Sequence, residues 1–388
     1  MMITKRLLDV CDFQGGTQPP KDEWINDPRE GYVRMLQIRD YSQGDAKFIQ
    51  YVKDTKKLHK CKKDDIMLSR YGYIGQAFMG LEGAYNVALV KVIKKEEIHT
   101  PYLLYYFQSN YFQHFLLSNV GARATIPGFN KDELQNALIR MPEMSEQLEI
   151  ASKIAKVDEL IGFHKQQLDV LDTLIKSRFI EMFGDSERNT KSWPVAKLSS
   201  LCDVGSSKRI YQSELTETGI PFLRISDLNE KIDGENNSPQ VFIPEDKYYE
   251  LRSDGLVPSV GDILVTARGT LGRCYIIKSG DSFYFQDGMI SWLSDISENI
   301  TSLYISELFA TAGIQKQIAN LQAGSTVAYL SIAMLKKLDI MMPPIALQKQ
   351  FAAFVEQTDK SKFYITKTLK IIYIIIRAIQ HKTKEVLL

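Results

Sequence analysis

Residues 145–183 decide the fold, and they read SEQLEIASKIAKVDELIGFHKQQLDVLDTLIKSRFIEMF. The stretch has no proline, and its only glycine is Gly162. Its apolar residues follow the alternating three-and-four spacing of a helix with one apolar seam. They are Ile154, Val157, Ile161, Leu168, Leu171, Ile175 and Met182. With Ser145 as N-cap and Gly184 as stop, the pattern predicts one helix over residues 145–184, about 55–60 Å long.

A helix this long with a single seam requires a partner, and the far end of the chain supplies one. A second helical pattern runs from about Ala346 past Lys382, and we assign it to residues 345–388. Its seam comprises Phe351, Val355, Thr358, Ile365, Leu369, Ile372 and Ile376. The run Ile371–Ile376 would be exposed if this helix stood alone. We therefore predict an antiparallel coiled coil. The alternative is two unrelated amphipathic helices, each lying on its own domain.

The remainder of the chain repeats itself at an offset of about 190–200 residues. LLDVCD at 7–12 is echoed by LSSLCD at 198–203, MLQIRD at 35–40 by FLRISD at 222–227, and DIMLSRYGYIG at 65–75 by DILVTARGTLG at 262–272. Gln147 matches Gln348. The period is far too long for a solenoid, so it indicates a duplicated domain.

Each copy contains short Val/Ile/Leu/Tyr runs between turn residues, which predict a mostly β body. One or two helices are expected near the end of each copy, for example at Pro101–Leu117 and Leu303–Leu321. We therefore predict an α+β fold with two repeated, mixed domains over residues 1–144 and 185–344. The two long helices separate them, and an approximate two-fold axis relates them.

Composition places few limits on function. The 388 residues carry a net charge of +1 and are 44% hydrophobic, which is typical of an ordinary soluble protein. The N-terminus has no signal-peptide pattern, and Ile371–Ile376 is too short to cross a bilayer. The four cysteines have no C-x-x-C spacing, so reduced thiols are expected. These features favour a cytoplasmic protein without a membrane partner.

Several short landmarks recur in the same order in both halves. The second half carries ISDL at 225–228, GDILV at 261–265, RGTLG at 268–272, GST at 324–326, and MPP at 342–344 leading into Gln348. The first half carries weaker versions: QIRD at 37–40, DDIML at 64–68, Gly72 with Gly75, and Pro142 leading into Gln147. Over essentially its whole length the chain resembles the specificity subunit of type I restriction–modification systems, often called HsdS.

That resemblance implies a function and a set of partners. Each repeated domain would be a target recognition domain that reads one half of a split, asymmetric site in double-stranded DNA. The helices would act as a ruler and as a docking surface for two methyltransferase subunits, which restriction subunits join. No cofactor is expected in this chain. S-adenosylmethionine would belong to the methyltransferase, and ATP and Mg²⁺ to the restriction subunit.

The candidate DNA-binding residues lie in loops that combine glycine with a cation and a hydroxyl or aromatic group. Arginine reads guanine and binds phosphate, and glycine permits close backbone approach. In the first half the candidates are Gly16, Thr17, Gln18, Arg70, Tyr71, Tyr73, Arg123 and Thr125. In the second half they are Lys208, Arg209, Arg268, Thr270, Arg273, Ser325, Thr326 and Tyr329. The alternative is that the G-x-x-G pairs only shape hairpin turns and that the arginines are solvated.

Two further groups have two interpretations each. The lysines Lys53, Lys56, Lys57, Lys60, Lys62 and Lys63 are suited to gripping phosphates, or they form a solvated surface loop. Cys11 and Cys202 occupy the same repeat position beside apolar neighbours, so we interpret them as core residues rather than ligands.

The chain lacks the motifs of the chemistry that the resemblance assigns to its partners. It has no N-P-P-Y or D-P-P-Y sequence, no F-x-G-x-G loop and no Walker-type G-K-[ST] loop. Glu245-Asp246-Lys247, with Asp233 upstream, matches the E-x-K pattern of nucleases, but so short a triplet arises by chance. We therefore expect a non-catalytic subunit. The rivals are a stand-alone nuclease or methyltransferase with an unrecognised site, and a scaffold that binds peptides.

Overall fold

A computed structural model describes residues 3–43, 49–120, 128–234, 239–322 and 328–385, with side chains as far as residue 376. The chain divides into two compact units. Unit 1 consists of Met1–Lys165 with Thr366–Leu388, and unit 2 of Gln166–Ile365. Both long helices therefore contribute to both units.

Unit 1 is built from short strands and four helices among its described residues. Its strands are β1 Ile3–Arg6, β2 Cys11–Gly15, β3 Tyr32–Leu36, β4 Tyr51–Lys53, β5 Lys60–Cys61, β6 Met67–Ser69, β7 Ala77–Phe78, β8 Gly83–Tyr85, β9 Leu89–Lys94 and β10 Leu138–Met141. Its helices are α1 Leu7–Val10, α2 Ile38–Ser42, α3 Thr100–Gln108 and α4 Asn110–Asn119. The first long helix, α5, follows at Met144–Phe183.

The strands of unit 1 form two four-stranded sheets and one pair. One sheet has the order β2-β9-β6-β7 and is antiparallel throughout, and β1 pairs with β10. The other sheet has the order β4-β3-β8-β5. Within it β3 and β8 run parallel, with Leu36 opposite Tyr85, so their carboxyl ends meet at one edge. Polar residues that follow these strands are therefore brought together.

Unit 2 repeats this plan. Its strands are β11 Val195–Lys197, β12 Asp203–Gly205, β13 Ile220–Leu223, β14 Phe242–Ile243, β15 Ile263–Thr266, β16 Cys274–Ile276, β17 Tyr284–Phe285, β18 Ile290–Ser294 and β19 Asp339–Met341. Its helices are α6 Ile225–Ile232, α7 Glu245–Ser253, α8 Ser302–Phe309, α9 Ala312–Leu321 and α10 Ile332–Leu335. The second long helix, α11, covers Ile345–Glu385.

The sheets of unit 2 correspond to those of unit 1, except that β5 has no strand counterpart among the described residues of unit 2. The order β12-β18-β15-β16 corresponds to β2-β9-β6-β7, and β11 pairs with β19 as β1 does with β10. Strands β13 and β17 run parallel, as β3 and β8 do. The units differ in one segment. Between β4 and β6 unit 1 has the strand β5, whereas between the corresponding strands β14 and β15 unit 2 has the helix α7. The predicted duplication is confirmed at the level of topology.

The largest core of each unit lies between the antiparallel sheet and a pair of helices. In unit 1, Phe107 of α3 and Phe112 of α4 meet edge to face, with ring centroids 4.9 Å apart, over the sheet residue Phe13. In unit 2, Tyr304 of α8 takes part in a ring cluster with Phe179 and Phe183 of α5. The core of unit 2 therefore includes part of the long helix, because these side chains are among the most deeply buried in the chain.

The two long helices pair in opposite directions within unit 2. Lys362 of α11 forms an ion pair with Asp172 of α5, and the rings of Phe351 and Phe179 lie 5.4 Å apart. The partner number falls from 362 to 351 as the α5 number rises from 172 to 179. The predicted antiparallel pairing is confirmed there, and the alternative of two unrelated helices is excluded for this part.

One local prediction needs correction. Helix α5 begins at Met144 rather than after Ser145, since the N–H groups of Glu146 and Gln147 both donate to the Glu143 carbonyl. The prediction of one or two helices near the end of each copy is confirmed, and the number is two. The stretch Pro101–Leu117 divides at Ser109, whose hydroxyl caps α4 by accepting from the Phe112 N–H. The stretch Leu303–Leu321 is likewise divided into α8 and α9. The stop at Gly184 is confirmed, because that residue has a φ of +83°.

Two glutamines fasten the long helices to their units. Gln147 is buried, accepts from the His99 N–H at 3.0 Å and donates to the Pro142 carbonyl at 2.9 Å. Gln348 is fully buried, accepts from the Thr301 N–H at 2.9 Å and donates to the carbonyls of Pro343 and Asn299. A buried glutamine therefore joins the first turn of each long helix to its unit, and we call Gln147 and Gln348 the latch glutamines.

No helix in the described ranges combines the length and the apolar character needed to cross a bilayer.

Candidate nucleic-acid interface

The loops that follow β6 and β15 have the same frame, and we call residues 70–75 and 267–272 the arginine loops. Each follows a fully buried hydroxyl residue, Ser69 or Thr266. The Ser69 hydroxyl donates to the Tyr73 carbonyl and accepts from the Gln76 N–H at 2.9 Å. In unit 2 the Thr266 hydroxyl makes the equivalent two bonds: it donates to the Thr270 carbonyl at 2.6 Å and accepts from the Arg273 N–H at 2.9 Å. A buried hydroxyl thus closes the base of each loop.

The glycines of these loops shape the turn. Gly72 and Gly269 have φ values of +72° and +69°, a left-handed conformation that glycine adopts without the steric cost of a Cβ. At Gly272 an added Cβ would lie 2.8 Å from the Ile318 side chain of α9. The turn-forming interpretation of the G-x-x-G pairs therefore holds for the glycines, while their arginines make specific contacts of their own.

The two loop arginines do not occupy equivalent positions. Because Ser69 matches Thr266 and Gly72 matches Gly269, Arg268 stands at the position of Tyr71, and Arg70 stands one residue earlier. The backbone agrees with this alignment. The N–H of Arg70 donates to Ala88, and the N–H of Ala267 donates to Met289, each at 2.8–2.9 Å. The two loops therefore share a backbone conformation but carry their arginines at positions that differ by one residue.

Arg70 is directed toward the late part of unit 1. Its Nε donates to the Phe129 carbonyl at 3.1 Å, and its Nη2 donates to the Asn130 side chain. Tyr71 forms a β-bridge with Gly128, where an added Cβ would lie 2.4 Å from the tyrosine ring. In unit 1 the aromatic ring thus comes from the arginine loop, and a glycine makes room for it.

In unit 2 these chemical groups are exchanged. The Arg268 guanidinium carbon lies 4.8 Å from the centre of the Tyr329 ring, a cation–π distance. The Arg268 Nε is buried and has no hydrogen-bond partner among the residues that the structure describes. Tyr329 is itself held by Gln322, which donates to its carbonyl and accepts from its N–H at 3.0 Å. The guanidinium is therefore held over a ring that is itself fixed in place.

The early loop of unit 1, residues 15–18, lies against the arginine loop. A Cβ added at Gly15 would lie 3.9 Å from Arg70 Nη1, which places the two loops side by side. At Gly16 an added Cβ would meet the Asn86 carbonyl at 2.0 Å, so the glycine is required by backbone packing. Thr17 accepts from the His59 N–H at 3.4 Å, and Gln18 is exposed. Gly16 is therefore a structural residue, whatever its part in binding.

The early loop of unit 2, residues 205–209, is tied down by hydroxyl groups and ends in two exposed cations. Ser206 accepts from the Gly288 N–H at 3.3 Å. Lys208 is exposed, while its N–H donates to the Tyr284 hydroxyl at 2.9 Å. Arg209 is exposed and pairs with Asp287 at 2.9 Å, and the carboxylate raises the pKa of this arginine. Asp287, the partner of Arg209, is two residues from Met289, whose carbonyl accepts from the Ala267 N–H of the arginine loop. The early loop of unit 2 therefore lies beside its arginine loop.

A set of polar residues that sequence reasoning missed lies at the ends of the parallel strands. In unit 1, Asn86 follows β8 and donates from its N–H to Leu36, the last residue of β3, while Gln37 follows β3. In unit 2, Gln286 follows β17 and donates to Leu223, while Arg224 follows β13. Amide and guanidinium groups are suited to reading base edges. The available signal was a polar residue directly after a buried strand.

Arg273 lies apart from the converging loops. It matches Gln76 and turns toward α6, where its Nη1 donates to Asn229 at 2.8 Å and its guanidinium pairs with Asp233. That pairing lowers the pKa of the Asp233 carboxyl. Tyr73 and Thr270, at the tips of the arginine loops, are exposed, Tyr73 by 80%. Arg123, Thr125, Ser325 and Thr326 lie outside the described residues.

The cysteines and the E-x-K triplet have structural surroundings. Burial raises the pKa of the Cys11 and Cys202 thiols to about 12, and both residues lie in the cores, as interpreted from the repeat. Lys247 of the triplet lies in the first turn of α7, within 3.6–3.7 Å of Glu214 and Glu250. Within the described ranges, no three histidine, cysteine or acidic residues are arranged to hold a metal ion.

Comparison with known proteins gives a consistent result. The family model described as "Type I restriction modification DNA specificity domain" matches twice, over residues 2–173 and 190–372. The MjaVIII specificity subunit, a type I restriction enzyme subunit of Methanocaldococcus jannaschii, is 26% identical over 91% of this chain and 85% of its own length. A putative type I restriction enzyme specificity subunit of Haemophilus influenzae is 26% identical over 71% of this chain and 68% of its own.

Solved structures support the fold. A chain from the structure described as "Structural basis underlying complex assembly and conformational transition of the type I R-M system" aligns with a TM-score of 0.59, at 14% identity, over 98% of this chain and 97% of its own. The crystal structure of a type I restriction–modification system S subunit from M. genitalium aligns with a TM-score of 0.55, at 14% identity, over 98% and 95%.

Proposed function

The chain belongs to the type I restriction modification DNA specificity family, and on that premise we propose that it is the sequence-reading subunit of a type I restriction–modification complex. In this role it binds double-stranded DNA and carries no chemistry of its own. Its activity is to choose where partner subunits act. The specificity subunits among its relatives carry names that agree with this role.

Each unit reads one half of a bipartite, asymmetric target. The observation that supports this most directly is the pair of arginine loops, which share a frame but display different groups. Unit 1 presents Arg70 beside the Tyr71 ring, whereas unit 2 presents Arg268 over Tyr329. Base-edge recognition depends on the position of donors to within a hydrogen bond, so a cation shifted by one residue reads a different pattern. The two half-sites therefore differ.

The long helices set the spacing of the half-sites and dock two methyltransferase subunits. Apolar side chains on the helices support the docking role, since Val170, Leu174 and Phe363 remain 58%, 45% and 64% exposed. Exposed apolar groups on a helix surface are typical of a protein–protein contact. S-adenosylmethionine belongs to the methyltransferase subunits, and ATP and Mg²⁺ to the restriction subunits that complete the complex.

The experiment is methylome sequencing of cells that carry this chain with its cognate methyltransferase, compared with cells that lack the chain. The proposal predicts methylation at a two-part, non-palindromic motif that disappears without the chain. A perfect palindrome, or methylation that persists without the chain, contradicts it.

A purified-protein assay separates this proposal from the enzyme alternative. The chain alone is incubated with DNA, Mg²⁺ and S-adenosylmethionine. The proposal predicts neither cleavage nor methyl transfer until the methyltransferase subunit is added. Turnover by the chain alone would establish the alternative.

A further inference from the structure

A lysine-rich segment of unit 1 has no place in the reading role described above. Residues 53–63 carry Lys53, Lys56, Lys57, Lys60, Lys62 and Lys63, and all six are exposed. The sequence alone leaves open whether they bind phosphates or form a solvated loop. The structure bears on this choice because it shows where the segment lies and which of its charges are already paired.

The segment is attached to the early loop of unit 1. His59, at its centre, donates from its N–H to Thr17, and its Nδ1 lies 2.6 Å from the Gly15 carbonyl. Lys57 and Lys60 stand within two residues of His59, so their Cα atoms lie within roughly 7 Å of its own. The lysines are therefore adjacent to loops that carry candidate DNA contacts, rather than being dispersed over the surface.

Most of the positive charge of the segment is unpaired. Lys60 pairs with Asp54 at 2.5 Å, and Asp65 is occupied by Lys91 at 3.0 Å and by the Lys62 N–H. The remaining lysine side chains have no carboxylate within 4 Å among the residues that the structure describes; they are Lys53, Lys56, Lys57, Lys62 and Lys63. Their charge is available to an external anion.

Unit 2 carries the opposite balance at the corresponding place in its topology. Where unit 1 has β5 and its lysines, unit 2 has α7. Residues 245–262 contain five carboxylates and two cations, whereas residues 53–65 contain six lysines and three aspartates. Lys247, one of the two cations, is shared between Glu214 and Glu250. Unit 2 therefore offers no equivalent cationic surface in this region of the described residues.

We propose that the lysine segment is a phosphate-binding surface that grips the DNA backbone beside the half-site of unit 1. Because unit 2 lacks a counterpart, unit 1 contributes the larger share of sequence-independent affinity. This proposal rests on the proposed function, since it requires that the chain bind duplex DNA. It adds a difference between the units: unit 1 both binds the DNA backbone and recognises its half-site, whereas unit 2 mainly recognises its half-site.

Phosphate contacts have a measurable signature. Each phosphate neutralised on duplex DNA contributes about 0.9 to the slope of log K against log salt concentration, because a condensed counterion is released. Such contacts carry no sequence information. Removing two of these lysines should therefore lower the slope by up to about 1.8 on both target and non-target duplexes, without changing the preferred bases.

The chain offers matched pairs for this test. Lys56→Gln with Lys57→Gln, and Lys62→Gln with Lys63→Gln, remove adjacent lysines from the segment. The control is Lys94→Gln with Lys95→Gln, another exposed adjacent pair in unit 1. Lys94 lies at the far end of β9 from Leu89, which bonds to the early loop, a distance of roughly 16 Å. The control therefore changes the same charge away from the loops.

Binding is measured on the complex assembled with its methyltransferase subunits, using duplexes with and without the mapped target, over about 0.05–0.2 M KCl. We expect the segment pairs to lower the slope and weaken binding to both duplexes, while the control pair and the methylated motif stay unchanged. Unchanged slopes with specific binding intact overturn this proposal and leave the proposed function standing. Loss of subunit assembly with an unchanged slope would assign the segment to a protein partner instead. Absence of specific binding by the unaltered complex would overturn the proposed function itself.

Discussion

At the scale of single residues, the arginine loops show how one frame can support two specificities. The Arg268 guanidinium lies over the Tyr329 ring, and its Nε is buried. The planar fork of a guanidinium suits bidentate contact with a guanine edge. By contrast, two donors of the Arg70 guanidinium are already hydrogen-bonded, to the Phe129 carbonyl and the Asn130 side chain. Arg268 is therefore the stronger candidate for direct reading.

Replacing Arg268 by alanine should weaken specific binding by about 1–3 kcal/mol and relax the base preference at one position of one half-site. The reason is that a bidentate base contact is lost while the phosphate contacts remain. The measurement is equilibrium binding of the assembled complex to a set of targets with single base changes. Arg268→Lys is the matched control, since it keeps the charge and loses the planar fork.

Two results would change this assignment. If Arg268→Lys restores full specificity, charge alone is sufficient and no bidentate contact exists. If Arg268→Ala weakens binding equally for every sequence, the side chain lies on a phosphate.

At the scale of elements, the latch glutamines connect each long helix to its unit. Gln348 joins the start of α11 to the start of α8 and donates to two backbone carbonyls. Gln147 joins the start of α5 to the start of α3 and donates to one backbone carbonyl. A buried amide with both ends satisfied fixes the local angle between helix and domain, because any rotation would break several bonds at once. The long helices can set the distance between the half-sites only if such contacts hold each unit at a fixed angle to its helix.

Replacing Gln348 by alanine should lower the free energy of unfolding by about 1–3 kcal/mol, because buried backbone groups lose their partner. Urea unfolding followed by circular dichroism gives this value. Gln357→Ala, an exposed change on the same helix, is the control and should stay within about 0.5 kcal/mol of the parent. Equal stability of the two variants would show that the latch contributes nothing.

The helices should also determine the spacer of the target. The boundary between the units falls after Lys165 in α5 and after Ile365 in α11. Inserting four helical residues at both points keeps the seams nearly in phase and lengthens each helix by about 6 Å. At 3.4 Å per base pair this corresponds to roughly one or two additional base pairs.

The spacer prediction is measured by methylating a library of spacer lengths with the parent and the inserted complex. The same four residues inserted after Gly234, in a segment outside the helix pair, provide the control and should leave the spacer unchanged. If the doubly inserted complex remains active on the parent spacer alone, the helices are not the ruler.

At the scale of the whole molecule, the repeat carried most of the predictable information. Landmarks such as the one ending at Gly272 fall at equivalent points of equivalent loops, since backbone turns constrain glycine locally. The parallel pairing of β3 with β8 was not predictable, because it joins residues about fifty positions apart through backbone bonds. For the same reason sequence reasoning missed Asn86 and Gln286.

Two other outcomes depended on long-range partners. Arg273 resembled a loop cation in sequence, yet its ion pair with Asp233 is formed across forty residues. The matching of Gln147 with Gln348 was visible in the repeat, but their role as latches required the positions of the helices they join. Composition and spacing fix local conformation, whereas the engagement of a polar side chain depends on its tertiary neighbours.

Each unit is proposed to read its own half-site independently of the other. A domain exchange tests this independence: residues 185–344 are replaced with the corresponding domain of a relative whose methylated motif has been mapped. Cells carrying the chimera with the methyltransferase are then analysed by methylome sequencing. The expected motif keeps one half unchanged and takes its other half from the donor. A motif changed in both halves, in a chimera that still directs methylation, would contradict it.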